Sequence, residues 1–344
     1  MVRPVAKGAK RVLVVGTGSI GVRHIENLLA LGAEVSAVSM RSGRAAEVAK
    51  KYSIEAHENL SEALGAAIDA VVIANRTDEH VATALLAAER GLDIFVEKPF
   101  SNLLEGVDEI ARLVREKGIK VETGYMMRFH PNLIQIKRLL TEGSIGKAYF
   151  ARAYVGQYLP DWRAGTDYRS SYSAKQAYGG GVVFDLSHEL DYLSMLFGDV
   201  SDVYATTSKV SELDIETEDL AQILLDFADG VSAHVEMDYL SPIYRRGLEI
   251  VGSKGVISWD YPTGRVILRK KNGTDEVFEC PEGFTRNSMF LAQMENFLSV
   301  LDGKGEVAVS LDASIEVLKV TLAVHASAAS RSAISPCDIM VEGI

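Results

Sequence analysis

Between residues 11 and 125 the chain alternates short apolar runs with helical patterns: RVLVVG, IGVRHIENLLALG, EVSAVS, a polar helical stretch through Tyr52, AIDAVVIAN, HVATALLAAERG, DIFVEK, LLEGVDEIARLVREKG and KVETGY. Strands separated by helices return in the same direction, so this alternation predicts a parallel sheet covered on both faces. It stops near residue 125. From about 147 to 275 the runs AYFARAYVGQY, AQILLDFADGVSAHVEMDY, RRGLEIVGSKGVISWDY and RVILRKKNGTDEVFEC are punctuated by turns at Asp229-Gly230, Gly252-Ser253 and Asn272-Gly273. That is the pattern of an antiparallel sheet. Two helical patterns, SMFLAQMENFLSVLDG and ASIEVLKVTLAVHASAASRS, close the chain. The reading is an α/β domain over residues 1–125 and an α+β domain with a large open antiparallel sheet over 126–344, with room for the C-terminal helix to pack back on the first domain.

Composition narrows the partners. With 36 basic and 47 acidic residues among 344, the net charge of −11 repels nucleic acid and anionic membrane at long range. Any anionic ligand must be held by local donors. The two cysteines, Cys280 and Cys337, stand far apart and in no metal-like spacing, which fits a reducing compartment. The apolar run Val12–Val15 near the basic start is too short for the core of a signal peptide, and no stretch is long enough to span a bilayer. A cytoplasmic protein without membrane or nucleic-acid partners is expected.

The first chemical motif is VLVVGTGSIGVRH. Gly16, Gly18 and Gly21 stand at G-x-G-x-x-G spacing between a predicted strand and a predicted helix. In that context the first glycine turns the chain, the second lets the backbone approach a pyrophosphate, and the third allows close helix–strand packing. Ser19 and Ile20 complete the loop, and the first domain reads as a Rossmann dinucleotide-binding domain. Where an NAD-selective fold usually places an acid for the ribose, this chain has Met40, Arg41, Ser42, Gly43 and Arg44. Arg41 and Arg44, with Ser42, suit a 2′-phosphate unless the arginines are merely solvated charges. The cofactor is therefore NAD(P), with NADP mildly favoured. In IFVEKPF, residues 94–100, a strand runs into Glu97, Lys98 and Pro99, and ligands of such sheets lie beyond the strands' carboxyl ends. An ammonium there can polarise a substrate oxygen and share its proton.

VVGTGSIGVRH, IANRTDEHVATALLAAERG, VEKPF, a GGG…D…H…D segment and IVGSKGVIS together resemble the glucose–fructose oxidoreductase, inositol dehydrogenase and rhizopine catabolism (Gfo/Idh/MocA) family, over nearly the whole chain. The resemblance implies a nucleotide domain joined to an open antiparallel sheet, and oxidation or reduction of hydroxyls on sugars, cyclitols or sugar nucleotides. It implies that Lys98 is the catalytic lysine and that His80 lies in a loop beside the cofactor, in one segment with Asn75, Arg76 and Thr77. Glu97 joins Lys98 at the cofactor, and Asp185 and His188 resemble the family's Asp and His pair. The family usually has three residues between that pair; here there are two, Leu186 and Ser187.

In GGGVVFDLSHELDY, residues 179–192, helical spacing puts Val182, Leu186, Leu190, Leu193 and Phe197 on a buried stripe and Asp185, His188 and Tyr192 on another face of one helix. His188 is the natural base for a hydroxyl proton, because its ordinary pKa lies near working pH. Asp185 could orient it or bind substrate. The segment QYLPDWRAGTDYRSSYSAKQ is too polar and aromatic for a buried strand, and Trp162, Tyr168 and Tyr172 suit a sugar. Arg163, Arg169 and Lys175 suit a carboxylate or phosphate on it, and Arg128 is a further substrate candidate. His234, Glu236 and Asp238 share a strand face and read as solvated or interfacial; no metal is expected. The expected function is an NAD(P)-dependent oxidoreductase acting on a hydroxyl or ketone of a sugar, sugar nucleotide, sugar acid or cyclitol. The alternatives are an NAD-dependent glycosidase working by transient oxidation and a non-catalytic NADP-binding redox sensor. An open sheet with an apolar face needs cover, so a homodimer or homotetramer is expected.

Overall fold

The computed structural model describes residues 9–39, 41, 43–163, 165–271 and 273–340. It separates into two compact units, one of residues 1–126 with 285–315 and one of residues 127–284 with 316–344. The Asn272-Gly273 turn expected from sequence lies partly outside the described residues.

In the first unit, β1 (Arg11–Val15), β2 (Glu34–Val38), β3 (Glu55–His57), β4 (Ala70–Ile73), β5 (Asp93–Val96) and β6 (Val121–Thr123) form one parallel sheet in the order β3-β2-β1-β4-β5-β6. Helices α1 (Ser19–Ala30), α2 (Arg44–Tyr52), α3 (Leu60–Gly65), α4 (His80–Glu89) and α5 (Val107–Lys117) alternate with the strands. Every residue of β4 is buried, as a strand covered on both faces requires. The strand order reverses between β1 and β4, which opens a crevice at their carboxyl ends. The helix Arg286–Leu301, which sequence alone assigns to the second domain, belongs to this unit: its Met294 and Phe297 are fully buried in one cluster with Ile25 and Leu28 of α1 and Phe95 of β5.

The second unit begins with α6 (Pro131–Thr141), capped by His130, whose ring nitrogen accepts from the Asn132 N–H. It is dominated by an eight-stranded sheet of β7 (Ala148–Gly156), β8 (Val200–Ser208), β9 (Leu220–Phe227), β10 (Ser232–Asp238), β11 (Arg245–Gly252), β12 (Gly255–Asp260), β13 (Arg265–Lys270) and β14 (Glu276–Glu279). The order is β14-β13-β12-β11-β7-β10-β9-β8. All neighbouring pairs are antiparallel except β7 and β10, so the expected antiparallel sheet is mixed at its centre. The reason is connectivity: the long excursion after β7 returns to the sheet through β8 and β9, and β10 closes beside β7 in the same direction.

Candidate active site

At the end of β1 the backbone itself makes the site. Gly16 has φ +98°, and a Cβ there would stand 2.6 Å from the Ala74 carbonyl oxygen at the end of β4. A Cβ on Gly21 would overlap the Gly16 carbonyl oxygen. Gly18 differs from both, because a Cβ there would meet nothing within 4 Å. Gly18 and Ser19 are exposed and Ile20 is half-buried, so the loop shows open backbone at the strand-order reversal. Such a cradle at the start of a helix fits a pyrophosphate. Past β2, Arg41 is exposed, while Arg44 donates to Glu47 at 2.9 Å. Ser42 lies outside the described residues.

After β4, Asn75 donates from its side-chain amide to Thr83 at 3.1 Å, and Arg76 is paired with Asp78 at 2.8 Å. Thr77 is buried where the chain turns into α4. The His80 ring is buried with Nδ1 3.0 Å from the Pro99 carbonyl and Nε2 3.3 Å from the Asn75 carbonyl. Burial lowers its pKa, and a neutral ring donates to one of the two carbonyls while lying between the ends of β4 and β5. After β5, the Glu97 carboxylate accepts from the His24 ring at 2.6 Å and from the Lys98 backbone N–H at 3.2 Å. His24 is fully buried between Phe95 and Phe290. Nothing in the glycine motif assigns His24 a role; the available signal is its spacing, one turn into the helix after the loop. Lys98 itself is half-buried and precedes a cis proline.

In the second unit, the single helix expected over residues 182–197 is two. α7 (Val182–Asp185) ends at Leu186, whose φ −101° and ψ 22° leave the helical range, and α8 (His188–Phe197) starts after Ser187. The break allows Asp185 and His188 to be only three positions apart without sharing one helix. Gly181, with φ +115°, starts α7 against the carboxylate of Glu218, which accepts from the Val183 N–H at 3.2 Å. Burial pushes Glu218 up to about 7, with Asp185 and Asp219 adding repulsion.

The segment has no solvated polar face. Asp185 is buried and accepts from the Tyr239 hydroxyl at 2.5 Å and from the Tyr172 hydroxyl. Both phenols are pushed well above their ordinary pKa, first by burial and then by that carboxylate. His188 is buried at the start of α8. Glu189 pairs with Arg246 at 2.8 Å and Asp191 with Arg128 at 2.7 Å, both acids fully buried. Tyr192, expected on the polar face with His188, is fully buried beside Trp259. Arg128, expected to meet substrate, spends its guanidinium on both oxygens of Asp191.

The excursion after β7 divides in the same way. Trp162 meets the Tyr239 ring edge-on at 5.2 Å, and Arg163 lies 5.4 Å over the Tyr172 ring, so both reach the two tyrosines of Asp185. Tyr168 accepts from the Asp214 N–H, and Arg169 forms an exposed pair with Asp167. Of the strand trio, Glu236 and Asp238 pair with Arg245.

Comparison with known proteins places this geometry. Residues 10–125 match the model of an oxidoreductase family with an NAD-binding Rossmann fold, and residues 133–258 match the GFO/IDH/MocA C-terminal domain. The chain belongs to the Gfo/Idh/MocA family. This Gfo/Idh/MocA chain is 30% identical to an inositol 2-dehydrogenase/D-chiro-inositol 3-dehydrogenase of Shouchella clausii over 80% of its length and 79% of the relative's. It is 28% identical to the NAD(+)-dependent scyllo-inositol 2-dehydrogenase of Bacillus subtilis over 89% and 91%. A levoglucosan dehydrogenase solved with NADH shares the fold with a TM-score of 0.87 at 20% identity, over 96% of this chain and all of the other. Among the described residues no helix is long and apolar enough to cross a membrane.

Proposed function

We propose that the chain is an NAD(P)-dependent dehydrogenase of a ring hydroxyl on a sugar, sugar acid, sugar nucleotide or cyclitol. The observation that carries this reading is the open backbone at Gly18, in a loop whose other two glycines are closed by their own neighbours, on a chain that also bears Lys98 at a strand end and a buried Asp185–His188 segment. The loop Gly16–Gly21 would hold the pyrophosphate, with Asn75, Arg76, Thr77, His80 and Glu97 along the neighbouring strand ends. The nicotinamide would supply the two-electron acceptor.

His188 takes the hydroxyl proton, since an imidazole suits that task, and Asp185, held by its two tyrosines, stands three positions before it. Lys98 stabilises the developing alkoxide with its ammonium. Glu97 acts on Lys98 through the backbone N–H it accepts, and His24 fixes Glu97. Arg44 shares an exposed pair with Glu47, so preference for NADP rests first on Arg41. Self-association through the outward sheet face fits the cross-strand neighbours Tyr204 and Leu224, 44% and 53% exposed on that face. A dimer or tetramer would cover them.

The test is a panel of sugars, sugar acids, nucleotide sugars and cyclitols with each cofactor, read as net accumulation of reduced nicotinamide. Lys98→Met and His188→Ala should each lower turnover by about a hundredfold or more while dinucleotide binding persists. Arg41→Asp should shift the preference from NADP toward NAD. Reduced cofactor that never accumulates, with sugar products released, would point to transient oxidation and overturn the dehydrogenase.

A further inference from the structure

We infer that the substrate is a sugar acid whose carboxylate is held by Arg163, an assignment that rests on the dehydrogenase reading only for what happens to the substrate afterwards. Four cations stand out as anion ligands: Arg128, Arg163, Arg169 and Lys175. Three are spoken for, Arg128 by Asp191 at 2.7 Å, Arg169 by Asp167 at 2.8 Å and Lys175 by Glu216 at 2.8 Å. Among the described residues, Arg163 alone of the four has no carboxylate partner.

Its surroundings are built rather than incidental. Arg163 is half-buried, with its guanidinium carbon 5.4 Å above the Tyr172 ring, and Tyr172 bonds to Asp185. The adjacent residue, Trp162, abuts Tyr239, which donates to the other side of the same system at 2.5 Å. Consecutive residues of one segment thus reach the two phenols that hold Asp185, and this places the guanidinium beside the acid–base segment. Arg163 also lines a shallow surface hollow with Leu159, Pro160, Trp162, Thr166 and Tyr168. Apolar walls, a ring and hydroxyls thus stand around one charged anchor.

The chemistry selects a carboxylate. A guanidinium resting on a ring uses its face and leaves its N–H edge for an in-plane acceptor, which a carboxylate matches in a bidentate fork. A phosphate dianion would bring a second charge, and the other cations of this segment, Arg169 and Lys175, already face carboxylates. The chain's net charge of −11 repels any anion at long range, so a substrate acid depends on this local donor.

Calorimetric titration of the full-length protein with sugars that differ only in –COOH for –CH2OH tests the assignment: glucuronate against glucose, galacturonate against galactose, mannuronate against mannose. At least one acid should bind about 10- to 100-fold more tightly than its neutral partner, the range expected of a charge-assisted bond. Arg163→Gln should bring that ratio close to one, and Arg163→Lys should restore part of it. Equal affinity within every pair, or a ratio that Arg163→Gln leaves unchanged, overturns the inference. Preference for glucose 6-phosphate over every acid overturns the carboxylate. Binding is read without turnover, so acids held through Arg163 with no reduced nicotinamide formed would sink the dehydrogenase reading and keep this one.

Discussion

The glycine loop of the first unit and the α7–α8 segment of the second place functional groups by opposite means. In the loop, the backbone does the placing, and what matters is where side chains are absent: Gly16 and Gly21 are closed by each other and by Ala74, and Gly18 is left open. In α7–α8, three acids within seven residues are buried, and each is answered from far away in sequence. Tyr239 meets Asp185 across 54 positions, Arg246 meets Glu189 across 57, and Arg128 meets Asp191 across 63. A site made of backbone is coded by local spacing, whereas a site made of charges is coded by partners that only the folded sheet brings together.

Substitution within the loop should break that comparison most sharply. Gly21→Ala drives a methyl into the Gly16 carbonyl, so the first unit should lose its cooperative unfolding transition. Gly18→Val puts a larger side chain into open space, and should leave melting within a few degrees of wild type while abolishing dinucleotide binding. Circular dichroism with cofactor titration reads both. A Gly18→Val protein that still binds the dinucleotide would show that the loop is no cradle.

In the second unit the expected effect is nearly as large but of another origin. Glu189→Gln leaves the buried Arg246 without its counter-charge and should cost about 3–5 kcal/mol in urea unfolding. The double change Glu189→Leu with Arg246→Met removes both charges and should recover most of that loss. If the double variant is as unstable as the single, Tyr192 and the Met127 sulfur beside the pair contribute more than the charges do.

These contrasts explain what could be read beforehand. The order of strands and helices in the first unit follows from hydrophobic period, and the candidate residues Gly16–Gly21 and Lys98 are singled out by motif spacing at strand ends. The helix Arg286–Leu301 shows its apolar stripe in sequence, but nothing local says that Met294 and Phe297 complete the core under α1. The parallel β7–β10 pair was hidden for the same reason, since alternation of side chains is identical in both directions. The sequence assigns no partner to the acids of HELDY, Glu189 and Asp191. They are buried because their arginines lie more than fifty residues away, at positions no periodicity links to them.

The smallest effect sharpens the comparison through pH, because each unit buries a group that resists ionisation in the opposite sense. Glu122 of β6 is buried, held by the Asn296 amide at 3.0 Å, and pushed up to about 7 by desolvation. An unfolded glutamate ionises near 4.5, so this group's contribution to stability is full below that value and is lost as pH rises through about 7. His130 of the second unit sits in a cage of Trp259, Tyr261 and Phe284, and burial with repulsion from Arg246 pushes it down to about 4. Its contribution is full above the ordinary 6.5 and is lost as pH falls through about 4. Glu122→Gln keeps an acceptor for Asn296 and should flatten the decline between pH 5 and 7.5 by about 1–2 kcal/mol, leaving the remainder to Glu218 of the second unit. His130→Asn keeps the cap on α6 and should flatten the acid side by a similar amount, offset by lost ring packing at every pH. Unfolding free energies measured from pH 4 to 8 on the three proteins separate the windows. A Glu122→Gln profile parallel to wild type throughout would mean that the carboxyl is ionised in the fold, and that the Asn296 amide and the Ala308 N–H together hold its charge.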